Sequence, residues 1–401
     1  MYAIRVAIRL ALVALACSFT LAAAQAAPKV LLVISSEGRD AGKTRPGFKM
    51  DEFAKAWLTL RANGLQVDVA SPAGGAPDAD RYNPADDHIQ RLQADALATA
   101  TLQRTRRTQD VAVGEHAAVL VIGGKGAMFD LPRDAALQRL LAAHYQAGGV
   151  LAAVCHGPAA LVPLKLADGQ ALVKGRRLTG FTDEEEAAFG KRWAAEFPFL
   201  LENRLRELGA LWQEAPLMMP NVVVDGRLIT GQNPFSTVPV AEAIVRALGR
   251  TPVALQPFRD DASLALVERW LAGERAPVQA ALRDHTALYK PDLIGMLGYY
   301  QSKAATGNDA DQRRRALSVM ELAELHFPHP RLRVAMAEAH IALGNPQAAR
   351  VLLMAVLAPA PVSAPVSAPV SAPVSAANAE PDPGHKAARD QATRLLQGLP
   401  G

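Results

Sequence analysis

A cysteine and a histidine stand side by side between residues 148 and 161, where an apolar strand pattern ends. Residues 150–154 are continuously apolar, Cys155 and His156 follow, and a Gly-Pro pair then predicts a tight turn into a helix. A thiol on such a turn faces the positive end of the helix dipole, which lowers the pKa of the thiol below its free value of about 8.5. The pattern therefore predicts a nucleophilic cysteine.

A buried structural cysteine is the alternative interpretation, because that is the usual role of a lone cysteine. Likewise, His156 alone is compatible with a satisfied polar residue at the end of a strand. The glycine at the turn and the adjacent histidine favour catalysis, since a core cysteine needs neither.

Other chemistry has no matching pattern. The chain carries no glycine-rich phosphate loop with Lys-Ser/Thr and no cysteine–histidine cluster with zinc spacing. His326 and His329 lie at a turn broken by prolines, which is a poor metal site. The sequence therefore predicts no metal and no cofactor.

The elements that position these residues alternate between strands and helices from Lys29 to about Arg250. The apolar runs predict strands at 30–34, 67–70, 118–122 and 150–154, helices at 48–63, 135–147 and 238–248, and a hairpin at 221–231. Strand–helix–strand alternation implies an α/β fold with right-handed crossovers. We expect a flavodoxin-like three-layer sandwich with a parallel sheet and a nucleophile elbow.

The composition excludes two classes of protein. Among the 401 residues, 50% are hydrophobic and 20% are charged, which argues against general disorder. The 43 basic residues exceed the 39 acidic ones by only four and form no basic block, and aromatic residues are 5%. Nucleic acid is therefore not an expected partner.

Residues 1–26 have the pattern of a signal peptide. Arg5 and Arg9 precede an apolar run that ends at Ala24-Gln25-Ala26, and cleavage there removes Cys17. Lipidation at Cys17 is the alternative, although the residues before it match that signal poorly. The apolar run is shorter than the ~20 residues of a spanning helix. We expect an exported protein of the bacterial periplasm without a membrane span.

Three further segments follow the α/β domain, which is assigned to residues 27–250. Residues 251–358 predict a small all-α domain whose helix pairs resemble tetratricopeptide repeats, although no 34-residue repeat is clear. Residues 359–385 form a low-complexity linker with four Pro-Val-Ser-Ala units, and residues 386–401 form a short helix or tail. The helical domain is a candidate surface for a protein partner.

The segment Ala153–Pro158 resembles the nucleophile elbow of the PfpI superfamily, which is related to the class I glutamine amidotransferases. Segments 123–132, 178–186 and 228–234 resemble three further motifs of this family, in the same order. The resemblance covers residues 29–250. The elbow together with Thr179–Asp183 is similar to the chaperone-like glyoxalase III branch.

The resemblance assigns a catalytic triad. Cys155 matches the nucleophile, His156 the triad histidine, and Glu186 the acid that orients the histidine. Glu184 and Glu185 are close enough to leave this last assignment open. By themselves, consecutive glutamates read as an exposed helix start.

The family also has a buried glutamate beside the nucleophile, and spacing assigns it to Glu52, with Asp51 as the rival. Gly124 and the backbone N–H of His156 match the oxyanion site. Lys125 stands where the glyoxalase branch commonly has histidine, and Lys55-Ala56 stands where it has His-Pro. We expect Lys55 and Lys125 to line the pocket and to alter substrate preference.

The resemblance implies a cofactor-independent glyoxalase III that converts methylglyoxal or another 2-oxoaldehyde to a 2-hydroxy acid such as D-lactate. It also implies deglycation of glycated proteins, chaperone activity and homodimer formation. Glutamine amidotransferase activity is disfavoured because His156 adjoins the nucleophile. The alternatives are an exported cysteine peptidase or amidase, and a non-enzymatic envelope protein with an interacting helical domain or a redox-sensing thiol.

Overall fold

A mostly parallel sheet forms the centre of residues 27–250 in the computed structural model, which describes residues 27–305, 309–358 and 383–399. Its strand order is β3-β2-β1-β4-β5-β9-β8, and only the β8–β9 hairpin is antiparallel. The strands are β1 (Lys29–Val33), β2 (Gln66–Ser71), β3 (Arg106–Arg107), β4 (Ala118–Val121), β5 (Val150–Val154), β8 (Val222–Asp225) and β9 (Leu228–Gly231). The strands β6 (Arg177–Leu178) and β7 (Leu211–Trp212) form a separate small sheet. The predicted flavodoxin-like fold class is confirmed.

The central strands are apolar throughout because helices cover both faces of the sheet. Every residue of β4 and β5 is buried. In the parallel register, Val121 of β4 lies opposite Val33 on one side and Ala153 on the other. The carboxyl ends of β1, β4 and β5 therefore meet at one edge, where the residues that follow them come together.

Seven α-helices flank the sheet within residues 27–250. They are α1 (Met50–Ala62), α2 (Asp87–Ala94), α3 (Ala96–Leu102), α4 (Ala135–Gln146), α5 (Asp183–Phe189), α6 (Leu201–Glu207) and α7 (Thr237–Ala247). The helix α1 buries Phe53, Trp57 and Leu60 at helical spacing, so its apolar face fixes it against the sheet. The sequence predicts a helix that begins near Pro158, and the structure has a short 3-10 helix there (Gly157–Leu161) instead of an α-helix.

The part of the chain described after residue 258 is helical. Its helices are α8 (Arg259–Leu271), α9 (Arg275–Asp284), α10 (Pro291–Ala304), α11 (Ala310–Glu324), α12 (Pro330–Ala342), α13 (Pro346–Leu357) and α14 (Pro383–Gln397). Proline begins α10, α12 and α13, where its missing N–H costs no hydrogen bond. The helices α8 to α12 share an apolar core with residues 217–219 of the first region. Tetratricopeptide character and the exact domain limits stay predictions.

Two of the predicted segments lie outside the described residues, namely the signal peptide at 1–26 and the Pro-Val-Ser-Ala units at 361–376. The tail helix α14 begins a few residues before the predicted start at 386 and packs on α12 and α13 through Ala388 and Ala392. Among the described residues, no helix has the length and apolar character needed to cross a membrane.

Candidate active site

The thiol lies on a strained turn at the carboxyl end of β5. Cys155 has a φ of +60°, a backbone conformation that residues other than glycine rarely adopt. Its N–H donates to the Gly231 oxygen at 2.9 Å, and its own oxygen accepts from Phe181 N–H at 2.8 Å. A Cβ atom on Gly157 would lie 2.4 Å from the Val121 oxygen, so only glycine fits beside β4. This geometry is that of a nucleophile elbow.

The side chains of Cys155, His156 and Glu186 form a continuous chain of contacts. The sulfur of Cys155 lies 3.4 Å from His156 Nδ1, and His156 Nε2 lies 2.7 Å from Glu186 Oε2. All three residues are buried. Such an arrangement lets the imidazole take up the thiol proton while the carboxylate stabilises the resulting imidazolium.

Aromatic rings hold the imidazole in this orientation. The ring of Phe181 lies 4.4 Å from that of His156 between centroids, and the ring of Phe197 lies 5.8 Å away, edge to face. These rings exclude water from one side of the His156–Glu186 pair. The pair therefore acts in a medium of low dielectric constant, where its attraction is stronger than in water.

The three consecutive glutamates have three different environments. Glu184 is exposed and Glu186 reaches His156, whereas Glu185 is buried. Glu185 forms a capping box with Thr182 and accepts from Asn233 Nδ2 at 2.8 Å and from Met218 N–H at 3.1 Å. Burial raises the pKa of Glu185 to about 7. The expectation that two of the glutamates are exposed is therefore wrong for Glu185.

Glu52, rather than its neighbour Asp51, lies beside the thiol. Its Oε2 accepts from Gly123 N–H at 2.8 Å, and the carboxyl group interacts with the Cys155 thiol. Because the side chain is fully buried, the pKa of Glu52 rises to about 8, so the carboxyl holds a proton at neutral pH. Asp51 instead contacts Lys49 at 2.8 Å and His88 at 3.0 Å.

The predicted lowering of the thiol pKa is wrong for the free protein. Burial, followed by the charge of Glu52, raises the pKa of Cys155 well above its usual value. The short 3-10 helix after His156 offers little dipole to oppose this. The N–H of Gly124, which donates to the sulfur, favours the thiolate, and His156 Nδ1 lies 3.4 Å from the sulfur, within reach of the thiol proton.

Gly124 and Lys125 lie on the loop after β4, opposite the thiol. Gly124 has a φ of +95°, and a Cβ atom there would lie 2.4 Å from Lys49 N, so glycine is required. This conformation aims the Gly124 N–H at the reacting sulfur, the position that an oxyanion donor needs. Lys125 is half-buried and lines the cavity above Cys155.

Lys55 does not line the pocket, contrary to the expectation. Its side chain is 1% exposed and contacts Asp260 at 2.7 Å and Asp261 at 2.8 Å, both on α8. A single residue of α1 therefore joins the sheet region to the helical region through a buried ionic cluster. The sequence offered no local signal for this contact because its partners lie more than 200 residues away.

A cavity of about 600 Å³ opens over the thiol. Its lining from the first region includes Gly124, Lys125, Cys155, His156, Phe181, Glu185, Met218 and Asn233. The helical region adds Asp260, Lys290, Leu293 and Met296. This volume is in the usual range for small-molecule sites, and titratable groups converge in it with apolar ones.

Within the described residues, the oxygen and nitrogen atoms of Asp51, Asp86 and His88 come close enough to hold a cation. The protein's own cations neutralise this cluster, because Lys49 contacts Asp51 at 2.8 Å and Lys290 contacts Asp86 at 2.7 Å. The pKa of His88 is raised to about 9, so its ring carries a proton at neutral pH. These three residues therefore make a poor metal site.

Comparison with known proteins gives consistent matches. The DJ-1/PfpI family profile matches residues 44–247. A glutathione-independent glyoxalase of Schizosaccharomyces pombe is 30% identical over 237 residues, which are 54% of this chain and 95% of that protein. Glyoxalase 3 of Candida albicans is 31% identical over 233 residues, or 55% of this chain and 98% of that protein.

Solved structures agree with these matches. The crystal structure of glyoxalase III from Candida albicans has a TM-score of 0.51 at 28% identity and covers 55% of this chain and 97% of that chain. The rapid encystment protein of Francisella tularensis has a TM-score of 0.52 at 29% identity, with 55% and 99% covered. These proteins are thus matched over nearly their whole length by about half of this chain.

Proposed function

Because the chain belongs to the DJ-1/PfpI family, we propose that it is a glutathione-independent glyoxalase of the glyoxalase III type, which converts methylglyoxal or a related 2-oxoaldehyde to a 2-hydroxy acid such as D-lactate. The observation that carries this proposal is the pair of groups beside the thiol. On one side is the His156–Glu186 pair, and on the other is the buried carboxyl group of Glu52.

The first step is addition of Cys155 to the aldehyde carbon. His156 Nδ1 takes the thiol proton, and the sulfur forms a bond to C1 of the substrate, giving a hemithioacetal once its oxygen is protonated. The N–H of Gly124, with that of His156, stabilises the oxyanion formed in this step. The strained backbone of Cys155 keeps the sulfur exposed to the cavity.

The second step is an isomerisation within the bound substrate. Glu52 or His156 removes the proton from C1, and C2 is then protonated through an enediol, so the hemithioacetal becomes a thioester without gain or loss of atoms. A carboxyl group with a pKa of about 8 suits such a transfer, because the acid and base forms are both accessible near neutral pH. Water then cleaves the thioester and releases the 2-hydroxy acid and the thiol.

Amide hydrolysis is less well supported by the same site. A cysteine peptidase or amidase needs the nucleophile, the histidine and the oxyanion donors, but it has no use for a buried protonated carboxyl group at the sulfur. The position of Glu52 therefore favours a reaction that moves a proton between carbons.

The test follows methylglyoxal loss and chiral lactate formation without glutathione. We expect the purified protein to form D-lactate, Cys155→Ala to lose at least about 10³-fold in kcat/KM, and Glu52→Gln to lose about 10²-fold or more. Alkylation of Cys155 by iodoacetamide, measured against pH, gives a second readout that needs no substrate. Inactive wild-type protein with a reactive thiol would refute the glyoxalase assignment and favour hydrolysis or redox sensing.

A further inference from the structure

The cavity over the thiol has one wall outside the family match, which ends at residue 247. We propose that α10 forms this wall and sets substrate specificity, so that Leu293 and Met296 select 2-oxoaldehydes whose side chain is apolar and larger than a methyl group. This inference rests on the proposed glyoxalase function and adds a substrate class to it.

The size of the cavity is the first argument. Its volume of about 600 Å³ suits a drug-sized ligand, and methylglyoxal, with five heavy atoms, fills a small part of it. A substrate whose aldehyde carbon reaches Cys155 therefore leaves most of the cavity for its side chain.

The chemistry of the α10 wall is the second argument. Lys290 lines the cavity, but its ammonium group is held by Asp86 at 2.7 Å. Leu293 and Met296 are the side chains of this helix that line the cavity; Leu293 does so from the buried core of the helical region, whereas Met296 is 43% exposed. Phe189 and Phe235 of the first region add further apolar surface. Methionine adapts its shape to apolar ligands, so the wall favours an aryl or alkyl group.

The attachment of this wall is the third argument. The Lys55–Asp260–Asp261 cluster holds α8, and Gln301 Nε2 of α10 donates to the Leu217 oxygen at 3.0 Å. The ring of Tyr300 on α10 lies 4.6 Å from that of Phe189 on α5, the helix that carries Glu186. The wall is therefore fixed relative to the triad, as a specificity surface must be.

The experiment compares phenylglyoxal with methylglyoxal, without glutathione, in the full-length protein. Met296→Trp fills the cavity, and Met354→Trp on α13 is the matched control, since Met354 is 59% exposed and does not line the cavity. We expect a higher kcat/KM for phenylglyoxal than for methylglyoxal in the wild type. Met296→Trp should lower the phenylglyoxal value at least about 10-fold and leave the methylglyoxal value within about twofold.

The outcomes separate the two proposals. Wild-type protein that converts neither aldehyde refutes the glyoxalase function itself. If the wild type is active but Met296→Trp changes both substrates equally, or changes neither, then α10 is not a specificity wall. Met296→Ala provides an independent variant that adds no bulk, and it should weaken phenylglyoxal binding through KM with kcat preserved. Thermal unfolding of each variant verifies that it is folded.

Discussion

The two regions of this protein contribute unlike surfaces to one cavity. The sheet region provides the reactive groups, because the loops after β4 and β5 and the start of α5 bring Gly124, Cys155 and Glu186 together. The helical region adds Asp260, Lys290, Leu293 and Met296 to the lining, whereas the groups hydrogen-bonded to the thiol among the described residues, His156, Glu52 and Gly124, belong to the sheet region. The reactive groups and the apolar wall thus belong to separate parts of the chain, so one of them can change while the other is kept.

The interface between the two regions, which we call the joint, differs chemically from their cores. Apolar residues fill the core around the sheet and the core among the helices. The joint also contains a buried ionic cluster, in which Lys55 meets Asp260 and Asp261. Such a cluster is specific, since its charges are tolerated only when all of them are present and correctly placed.

Removal of the Lys55 charge should therefore produce the largest of the expected effects, a loss of stability. Lys55→Met leaves two buried carboxylates without their cation, and we expect a loss of about 3–5 kcal/mol in the free energy of unfolding. Urea denaturation measures this loss. Limited proteolysis should cut the chain between the regions, near residues 251–257, sooner than in the wild type.

Lys303→Met is the matched control for Lys55→Met. Its pair with Glu338 is exposed, so the same substitution should cost no more than about 1 kcal/mol. The added changes Asp260→Asn and Asp261→Asn should restore part of the stability lost in Lys55→Met. If Lys55→Met is as stable as the control, the ionic cluster does not hold the regions together.

Substitution of Glu186 tests only the reactive groups that the sheet region contributes to the cavity. Glu186→Gln removes the charge that stabilises a protonated His156 at 2.7 Å, and we expect kcat/KM to fall about 10²-fold. Glu184→Gln, two residues earlier and exposed, is the control and should stay within about twofold. Equal effects of the two substitutions would show that Glu186 does not orient the histidine.

The catalytic half of the cavity was largely predictable from the sequence because its signals are local. The apolar run before Cys155 and the glycine after His156 lie within one strand–turn–helix unit, whereas the assignments of Glu52 and Glu186 came from the resemblance to the PfpI superfamily. The burial of Glu185 also had a local signal, because Thr182-x-x-Glu185 is a capping box. Recognition of that box would have separated Glu185 from its exposed neighbour.

The joint and the α10 wall were not predictable, because both depend on contacts between distant parts of the chain. Lys55 was expected in the pocket because it stands where the glyoxalase branch has His-Pro, and no pattern along α1 reveals that α8 covers it. The prediction of a lowered thiol pKa was wrong for a related reason. The pKa of Cys155 is raised by burial and by Glu52, which lies about 100 residues from Cys155 in sequence.

The pH dependence of stability tests the charge on His88, whose ring lies 5.8 Å from that of Phe258, the residue before α8. Burial opposes the charge on His88, but the hydrogen bond with Asp51 at 3.0 Å and the ion pair with Asp87 at 3.7 Å outweigh burial and raise the pKa of His88 from 6.5 to about 9. A group whose pKa is raised by folding stabilises fully below its unfolded pKa, here about 6.5, and loses this effect as pH rises through about 9. We expect His88 to contribute on the order of 1–3 kcal/mol at pH 6.

Unfolding curves between pH 6 and pH 10 measure this contribution. The wild type should lose stability as pH rises above about 7, and His88→Asn should be less stable at pH 6 with a flatter profile. His285→Asn is the control, because His285 is an exposed histidine of the helical region. Parallel profiles for wild type and His88→Asn would mean that folding does not raise the pKa of His88.

The smallest expected effect concerns Lys125, which lines the cavity and directly follows Gly124. Lys125 is half-buried, lines the cavity and forms no ion pair with the residues that the structure describes. Lys125→His should shift KM for methylglyoxal by about two- to fivefold, because a partly exposed charge contributes up to about 1 kcal/mol to binding. We expect kcat to stay within about twofold, because Lys125 does not contact the His156–Glu186 pair. The exposed residue Lys174 gives the control Lys174→His, which should change neither parameter. A fall in kcat instead of a shift in KM would place Lys125 among the reactive groups. The loop after β4 would then supply both the oxyanion donor and a charged group that acts in the reaction.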